Sequence, residues 1–312
     1  MKLISVVAPM HNESVLVKEY CQETLLVLST LADEYDYEII LVNDGSTDDT
    51  LNIMQKEQIA NPYHIAIVSL TRNFGLEGAV QAGLDYAKGD AVIVMDADLQ
   101  DPPSVIIELI KEWEKGYEVV HGVRSSRNSD SFFKKNSAEF YYKALAIFSG
   151  KVKIKQGAAN FKLLSRKAVD ILQSLPEKNR VFRVTVPFVG LKTSSVKYAR
   201  DKRYAGNTKF NLKSMIPYAL DSITSISVEP LRKIRWGIYI STFLLATTFL
   251  SLFFTSGFWE MLLAVSMVIS FLSTVIFICL AIIAEYIAQI FIEVKGRPVS
   301  LVETYYPKSK KD

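Results

Sequence analysis

Val92-Ile-Val-Met-Asp-Ala-Asp-Leu-Gln-Asp-Pro-Pro103 is an apolar, largely β-branched run that ends in three acids and two prolines, with Gly89-Asp90 just before it. A run of this kind bounded by turn residues predicts a buried strand whose carboxyl end opens onto a loop. Residues two apart on an extended segment point the same way, so Asp96 and Asp98 can face one hard cation, and Gln100 continues that face. Ligands bind at such strand tips in open parallel α/β sheets. Asp is also common in turns, so the same acids can simply start a turn or cap the helix that Pro102 opens. The remainder of the chain weighs on this choice.

Working outward, strand-like runs recur at 3–8, 38–42, 64–70, 91–95 and 118–123, and helical patterns lie between them at 14–33, 47–60, 75–87 and 103–115. This alternation predicts an α/β fold with a mainly parallel sheet and helices on both faces. No Gly-x-Gly-x-x-Gly follows the first strand, and no Gly-Lys-Ser/Thr loop is present. Acids occupy the strand ends instead. The first strand leads to Pro9-Met-His11-Asn-Glu13 and the second to Asn43-Asp44-Gly-Ser-Thr-Asp48, where Ser46 or Thr47 is suited to cap the next helix. Glu13, Asp44, Asp96 and Asp98 are thereby expected on one edge of the sheet. Further on, 132–149 and 181–189 read as helices and Gln156 to Leu164 as another strand. A basic loop follows from Tyr198 to Lys209; six of the seven charged residues between Lys197 and Lys213 are cations, and the interleaved Tyr, Gly and Thr suit anion capture better than a merely solvated face.

The composition changes after residue 210. Residues 211–228 have the apolar spacing of an amphipathic helix at a membrane surface. Trp236 to Trp259 and Met261 to Ala284 each lack charge over 24 residues; at 1.5 Å per residue each spans roughly 36 Å, enough for a hydrocarbon core of about 30 Å. Thr255-Ser256-Gly257 reads as the turn between them, and Lys and Arg flank the pair on the outer sides only. The positive-inside rule puts both termini in the cytoplasm of a multi-pass protein of the cell membrane. The expected division is a catalytic domain at 1–210, juxtamembrane amphipathic helices at 211–232, a two-helix transmembrane hairpin at 233–292 and a cytoplasmic extension at 293–312. With 312 residues and a net charge of +3, the chain is too weakly basic for a nucleic-acid binder, and Cys21 and Cys279 give no disulfide or metal-ligand spacing. His11, His64 and His121 form no ligand cluster in sequence.

The order and spacing of 9–13, 42–48, 72–83, 96–103, 122–127, 157–166, 200–210 and the two apolar runs resemble family 2 glycosyltransferases of GT-A fold. Within that family the resemblance is to polyprenyl-phosphate glycosyltransferases, the bactoprenol glucosyltransferases and dolichyl-phosphate mannose synthases. The resemblance implies that Pro9, His11, Glu13 and Asp44 line a nucleotide, that Asp96, Asp98 and Gln100 hold Mg2+ or Mn2+ on the donor diphosphate, and that Arg124, Arg127, Lys134 and Lys135 meet a lipid phosphate. It implies further that Arg203 and Lys209 meet phosphate charge from the opposite loop, and that 296–304 serves assembly as a homotetramer. The implied reaction is inverting transfer of a hexose, with UDP-glucose the first donor and UDP-N-acetylglucosamine, UDP-galactose and GDP-mannose behind it, to a polyprenyl phosphate for cell-envelope glycan modification. One position departs from the pattern: many relatives carry Asp where Ala159-Asn160-Phe-Lys162 has Asn160, and an amide cannot act as a base. Two other readings stand beside this one. A processive polysaccharide synthase would carry Gln-x-x-Arg-Trp, but Arg232-Lys-Ile-Arg-Trp236 lacks the Gln; a catalytically silent membrane scaffold has only Asn160 in its favour.

Overall fold

The apolar residues of Lys2–Met10 and Tyr35–Asn43 form the strands β1 and β2, paired in parallel from Lys2 opposite Tyr35 to Met10 opposite Asn43. The computed structural model describes residues 1–125, 158–177, 181–199, 224, 229–251 and 257–309. In chain order its further elements are α1 (Val17–Ser29), α2 (Thr50–Ala60), β3 (Ile65–Leu70), α3 (Gly75–Tyr86), β4 (Ala91–Val94), α4 (Val105–Glu114), β5 (Val119–Arg124), β6 (Ala158–Ser165), α5 (Arg166–Ser174), α6 (Phe182–Phe188), β7 (Thr193–Tyr198), α7 (Glu229–Ser251), α8 (Phe258–Lys295) and β8 (Val302–Tyr306). Among the described residues the strands make one sheet in the order β7-β5-β6-β4-β1-β2-β3-β8. β1 is parallel to β2 and β4, β2 to β3, and β5 to β7, while β6 runs against β4 and β5 and β8 runs against β3.

Side chains alternate between the two faces of the sheet, and in the central strands β1 to β4 both faces are buried, so helices must cover both. Ile4, Val6, Ile39, Leu41 and Ile93 form one core with Tyr20 and Leu28 of α1, Met54 of α2 and Ile106 and Leu109 of α4. Val7, Ile40, Val42, Val92 and Val94 form the other with Val80 and Leu84 of α3, Val169 and Leu172 of α5 and Phe182 of α6. Each such side chain contributes about 1.5 to 3 kcal/mol by leaving water. Because β1 to β5 and β7 all point one way, their carboxyl ends share one edge, where the antiparallel β6 begins.

Four features differ from or extend the expectation. β7 and α5 were not anticipated, nor was β8, so the segment expected to serve assembly carries the start of a strand on this chain's own sheet. Ser46 and Thr47 do not cap α2, whose N-cap residue is Asp49. The Ser46 hydroxyl instead accepts the Asn12 N–H at 3.0 Å, and Asp48 accepts the Thr50 N–H at 3.1 Å. The expected helices at 132–149 and 211–228 and the turn at 255–256 fall outside the described residues, apart from Thr224.

α8 runs 38 residues, from the Gly257 N-cap to Gly296, whose φ of 63° ends it in the left-handed conformation. Phe258 and Trp259, expected at the end of the first span, are its first residues, and the helix continues well past Ala284. At about 1.5 Å per residue it is about 57 Å long, more than a hydrocarbon core requires. Among the described residues it is the one helix long and apolar enough to cross a membrane. α7 lies alongside: a Cβ on Gly237 would meet Val275 and Cys279 at 3.3 and 3.5 Å. Beyond α8 the chain returns to the sheet. Thr71 N–H donates to Leu301 O at 3.0 Å, Gln58 Nε2 donates to Tyr306 O at 3.0 Å, and Lys308 pairs with the buried Glu38 at 3.3 Å.

Gly45, just past β2, has φ of 57°, and a Cβ there would lie 2.2 Å from the carbonyl carbon of Arg72. Gly45→Ala should therefore cost about 2 to 4 kcal/mol and lower the thermal midpoint of the detergent-solubilised protein. A midpoint within about 1 °C of the parent protein contradicts this packing.

Candidate active site

The loops after β1 and β2 hold each other. His11 Nδ1 lies 2.8 Å from Asp44 O, Asn12 Oδ1 accepts the Thr47 N–H at 2.8 Å, and Glu13 N–H donates to Thr50 Oγ1 at 2.9 Å. Asn12 adopts φ of 51°, a conformation Asn tolerates better than most residues. Pro9, His11 and Glu13 are half-buried along this rim. Asp44 is nearly enclosed, and its carboxylate accepts the Phe74 N–H at 2.7 Å and the Gly75 N–H at 3.0 Å, so it anchors the N-terminus of α3. Burial raises the pKa of Asp44, partly offset by those two N–H groups and by His11 and Arg72. The family resemblance put Asp44 itself among the nucleotide-lining residues; its anchoring of α3 was not foreseen.

At the tip of β4, Asp96 and Asp98 are half-buried and alternate with Met95 and Ala97, which stay in the core. Asp98 Oδ1 also accepts the Gln100 N–H at 3.1 Å, with Leu99 at φ of 54°. The turn reading holds for Asp98, and both acids lie just past the end of β4.

β4 and β6 pair antiparallel from Ala91 opposite Ser165 to Val94 opposite Lys162. The pairing ends there, two residues short of Asp96 on β4's side and of Asn160 on β6's. Asn160 is 4% exposed, and its Oδ1 is buried with no hydrogen-bond partner among the described residues. A buried amide oxygen left in that state is costly, which marks the position as one that a ligand or a neighbouring group would satisfy. Lys162, two residues on, is fully buried with Nζ 4.5 Å from the centre of the Phe182 ring. A buried cation next to the site was missed in the sequence; its only signal was a Lys between Phe161 and Leu163 within a mainly apolar strand.

Arg124, at the carboxyl end of β5, points its Nη2 at Asp101 Oδ2, 3.4 Å away, and the Tyr198 hydroxyl at the end of β7 donates to Asp101 Oδ1 at 2.6 Å. Burial works against the Arg124 charge, but Asp101 and Tyr198 more than offset it, and the net shift of its pKa is upward. Burial raises the Tyr198 pKa, and the charge of Asp101 raises it further. Gly122 makes room for this: a Cβ there would come within 3.0 Å of the Tyr198 ring.

The edge thus gathers Pro9, His11, Glu13, Asp44, Asp96, Asp98, Gln100, Arg124 and Asn160. Arg127, Lys134, Lys135, Arg203 and Lys209 lie outside the described residues. Among the described residues no three or more His, Cys, Asp or Glu side chains gather as a metal cage.

A mainly parallel sheet with helices on both faces and this set of acids and cations along one edge is the architecture of a GT-A-like glycosyltransferase. The chain belongs to glycosyl transferase family 2, whose family model matches residues 5–172, and it is an enzyme of that kind. It is 37% identical over 309 residues to the uncharacterized glycosyltransferase YkcC of Bacillus subtilis (strain 168), covering 97% of this chain and 94% of that protein. It is 38% identical over 311 residues to the SfII prophage-derived bactoprenol glucosyl transferase of Shigella flexneri, covering 96% and 97% of the two chains. Among solved structures it is similar in fold to glucosyl-3-phosphoglycerate synthase from Mycobacterium tuberculosis, a complex with Mg2+ and uridine diphosphate, with a TM-score of 0.52, 21% identity and coverage of 72% of this chain and 77% of that one.

Asp44→Ala removes the acceptor of two N–H groups at the start of α3 and should destabilise the protein by about 2 to 3 kcal/mol in denaturant unfolding. The sign of its pH dependence follows from the raised pKa: folding favours the protonated group, so ionisation of Asp44 withdraws stability as pH rises from the ordinary carboxylate range through the raised value. The Asp44→Ala protein should lack that part of the acid-side slope; identical stability profiles for the two proteins rule the anchoring role out.

Proposed function

We propose that this chain transfers a hexose, glucose from UDP-glucose first, to a polyprenyl phosphate at the cytoplasmic face of the cell membrane, with inversion at the anomeric carbon and for modification of cell-envelope glycans. The observation that carries the reading is the placement of Asp96, Asp98, Asn160 and Arg124 on one sheet edge, in a chain similar over nearly its whole length to a bactoprenol glucosyl transferase. The long apolar α8, packed against α7, supports a membrane hairpin behind a catalytic domain at 1–210, with both termini cytoplasmic. A homotetramer completes the reading.

In this reading Pro9, His11, Glu13 and Asp44 border the nucleotide, and Asp96, Asp98 and Gln100 hold Mg2+ or Mn2+. The donor set fits such an ion: all are oxygen ligands, only two are carboxylates, and Mg2+ is characteristically bound by one or two carboxylates together with substrate phosphates and water. Bound there, the ion would neutralise charge on the departing diphosphate. Arg124 meets the acceptor phosphate, joined from outside the described residues by Arg127, Lys134, Lys135 and Arg203, while Lys209, also outside them, meets the nucleotide sugar. A phosphate monoester has a second pKa of about 6 and is mostly ionised at neutral pH, so it attacks without a general base. Asn160 then serves by orienting the sugar or acceptor through its amide, and the buried Oδ1 is the group such a contact would satisfy.

Membranes containing the protein, incubated with radiolabelled UDP-glucose and undecaprenyl phosphate, should yield labelled lipid in the organic phase, and Asp98→Asn should remove it. Label that stays wholly aqueous, or full activity of Asp98→Asn in the presence of chelator, contradicts the reading.

Asn160→Asp should keep transfer within about tenfold of the parent, the change expected for about 1.4 kcal/mol of altered contact. A gain of several orders of magnitude would show that the reaction lacks a base here.

A further inference from the structure

The third acid of the opening motif, Asp101, has no part in the functional reading so far, yet it is the most deeply placed of the three. It is fully buried, whereas Asp96 and Asp98 are half-buried. Both of its oxygens are engaged, one by the Tyr198 hydroxyl at 2.6 Å and the other by Arg124 Nη2 at 3.4 Å. These three residues come from the loop after β4, the end of β7 and the end of β5. A buried carboxylate is costly unless it is paired and hydrogen-bonded, so the arrangement holds all three strand ends to one geometry.

The surroundings are shaped to admit the tyrosine. Gly122 has no Cβ where one would crowd the Tyr198 ring, and Phe161 meets that ring edge-on with centroids 5.7 Å apart. Ser125, the residue after Arg124, donates both its N–H and its hydroxyl to Tyr198 O, at 2.8 and 2.9 Å. The guanidinium is thereby fixed from the side of the motif that carries Asp98, three residues away. With Nη2 committed to Asp101, the remaining donors of Arg124 keep one orientation, and a planar guanidinium recognises phosphate well only when its fork is oriented.

We propose that Asp101 and Tyr198 are positioning residues that act through Arg124: they set its guanidinium for the anionic acceptor and tie that setting to the loop bearing Asp96 and Asp98. The inference rests on the reading of Arg124 as a contact to the acceptor phosphate. Neither residue touches a substrate in this scheme. Their effect should fall on the acceptor KM and leave the donor KM unchanged.

The test is a double-mutant cycle in the full chain, purified in detergent, with UDP-glucose as donor and a short-chain polyprenyl phosphate as acceptor. Tyr198→Phe deletes a single oxygen and leaves the ring against Phe161 and Gly122; Asp101→Asn keeps the shape and removes the charge. Each should raise the acceptor KM by about tenfold in the parent protein and by less than about twofold in an Arg124→Ala background, because coupled residues do not add. Equal losses in both backgrounds, or losses shared by the donor KM and the thermal midpoint, overturn the positioning role and leave Arg124 as a phosphate contact. An unchanged acceptor KM in Arg124→Ala itself overturns the underlying reading, and the inference with it.

Discussion

Parallel strand pairing is the constraint from which the site follows. A parallel pair cannot be joined by a tight turn, so each crossover carries a helix over one face of the sheet, and every carboxyl end is left at the same edge. β1, β2 and β4 sit side by side with their tips together, and β5 and β7 end at that edge from the far side of β6. Residues far apart in sequence, from Pro9 to Tyr198, therefore face a common space. The apolar residues that hold α1, α2 and α4 on one face and α3, α5 and α6 on the other supply most of the stability, and loop contacts such as those of Asp44 add to it.

Along that edge, charge is distributed in pairs that balance. Asp44 is turned back to the start of α3, where two N–H groups offset only part of the burial that favours its neutral form. Asp101 is turned inward to Arg124 and Tyr198. Asp96 and Asp98, like Glu13, stay half-exposed, and Lys162 lies buried two residues from Asn160 on the neighbouring strand. A developing negative charge on a leaving group would meet oriented dipoles and cations in a partly dry setting, where they act more strongly than in water.

Much of this was legible before the structure was known, and the exceptions have physical causes. β1 to β5 announce themselves because both faces are buried, which forces near-continuous apolar runs such as Ile39-Ile-Leu-Val42. β7 hides because Thr193-Ser-Ser-Val-Lys-Tyr198 is an edge strand with only Val196 and Tyr198 buried. β8 is likewise an edge strand with no fully buried residue, and its partner β3, with Gln58 and Glu38 that strap this segment down, lies more than two hundred residues away in sequence. The three acids of 96–101 look alike on paper, but the left-handed turn at Leu99 separates the two at the tip from the one that is buried. Charge counting ended the second apolar run at Ala284, whereas backbone hydrogen bonding carries α8 on to Gly296.

The return of the chain from α8 to the sheet edge fastens the catalytic fold to the apolar helix at a fixed place, which suits an acceptor whose reacting group is held at a membrane surface. The central claim is that metal-bound donor and acceptor phosphate share one sheet edge. Phosphorus NMR of a short-chain polyprenyl phosphate bound to the full chain tests it most directly. With UDP present, replacing Mg2+ by paramagnetic Mn2+ should broaden the acceptor resonance strongly in the parent protein and leave it sharp in Asp98→Asn. A resonance that stays sharp with Mn2+ and UDP bound to the parent protein would contradict a shared edge.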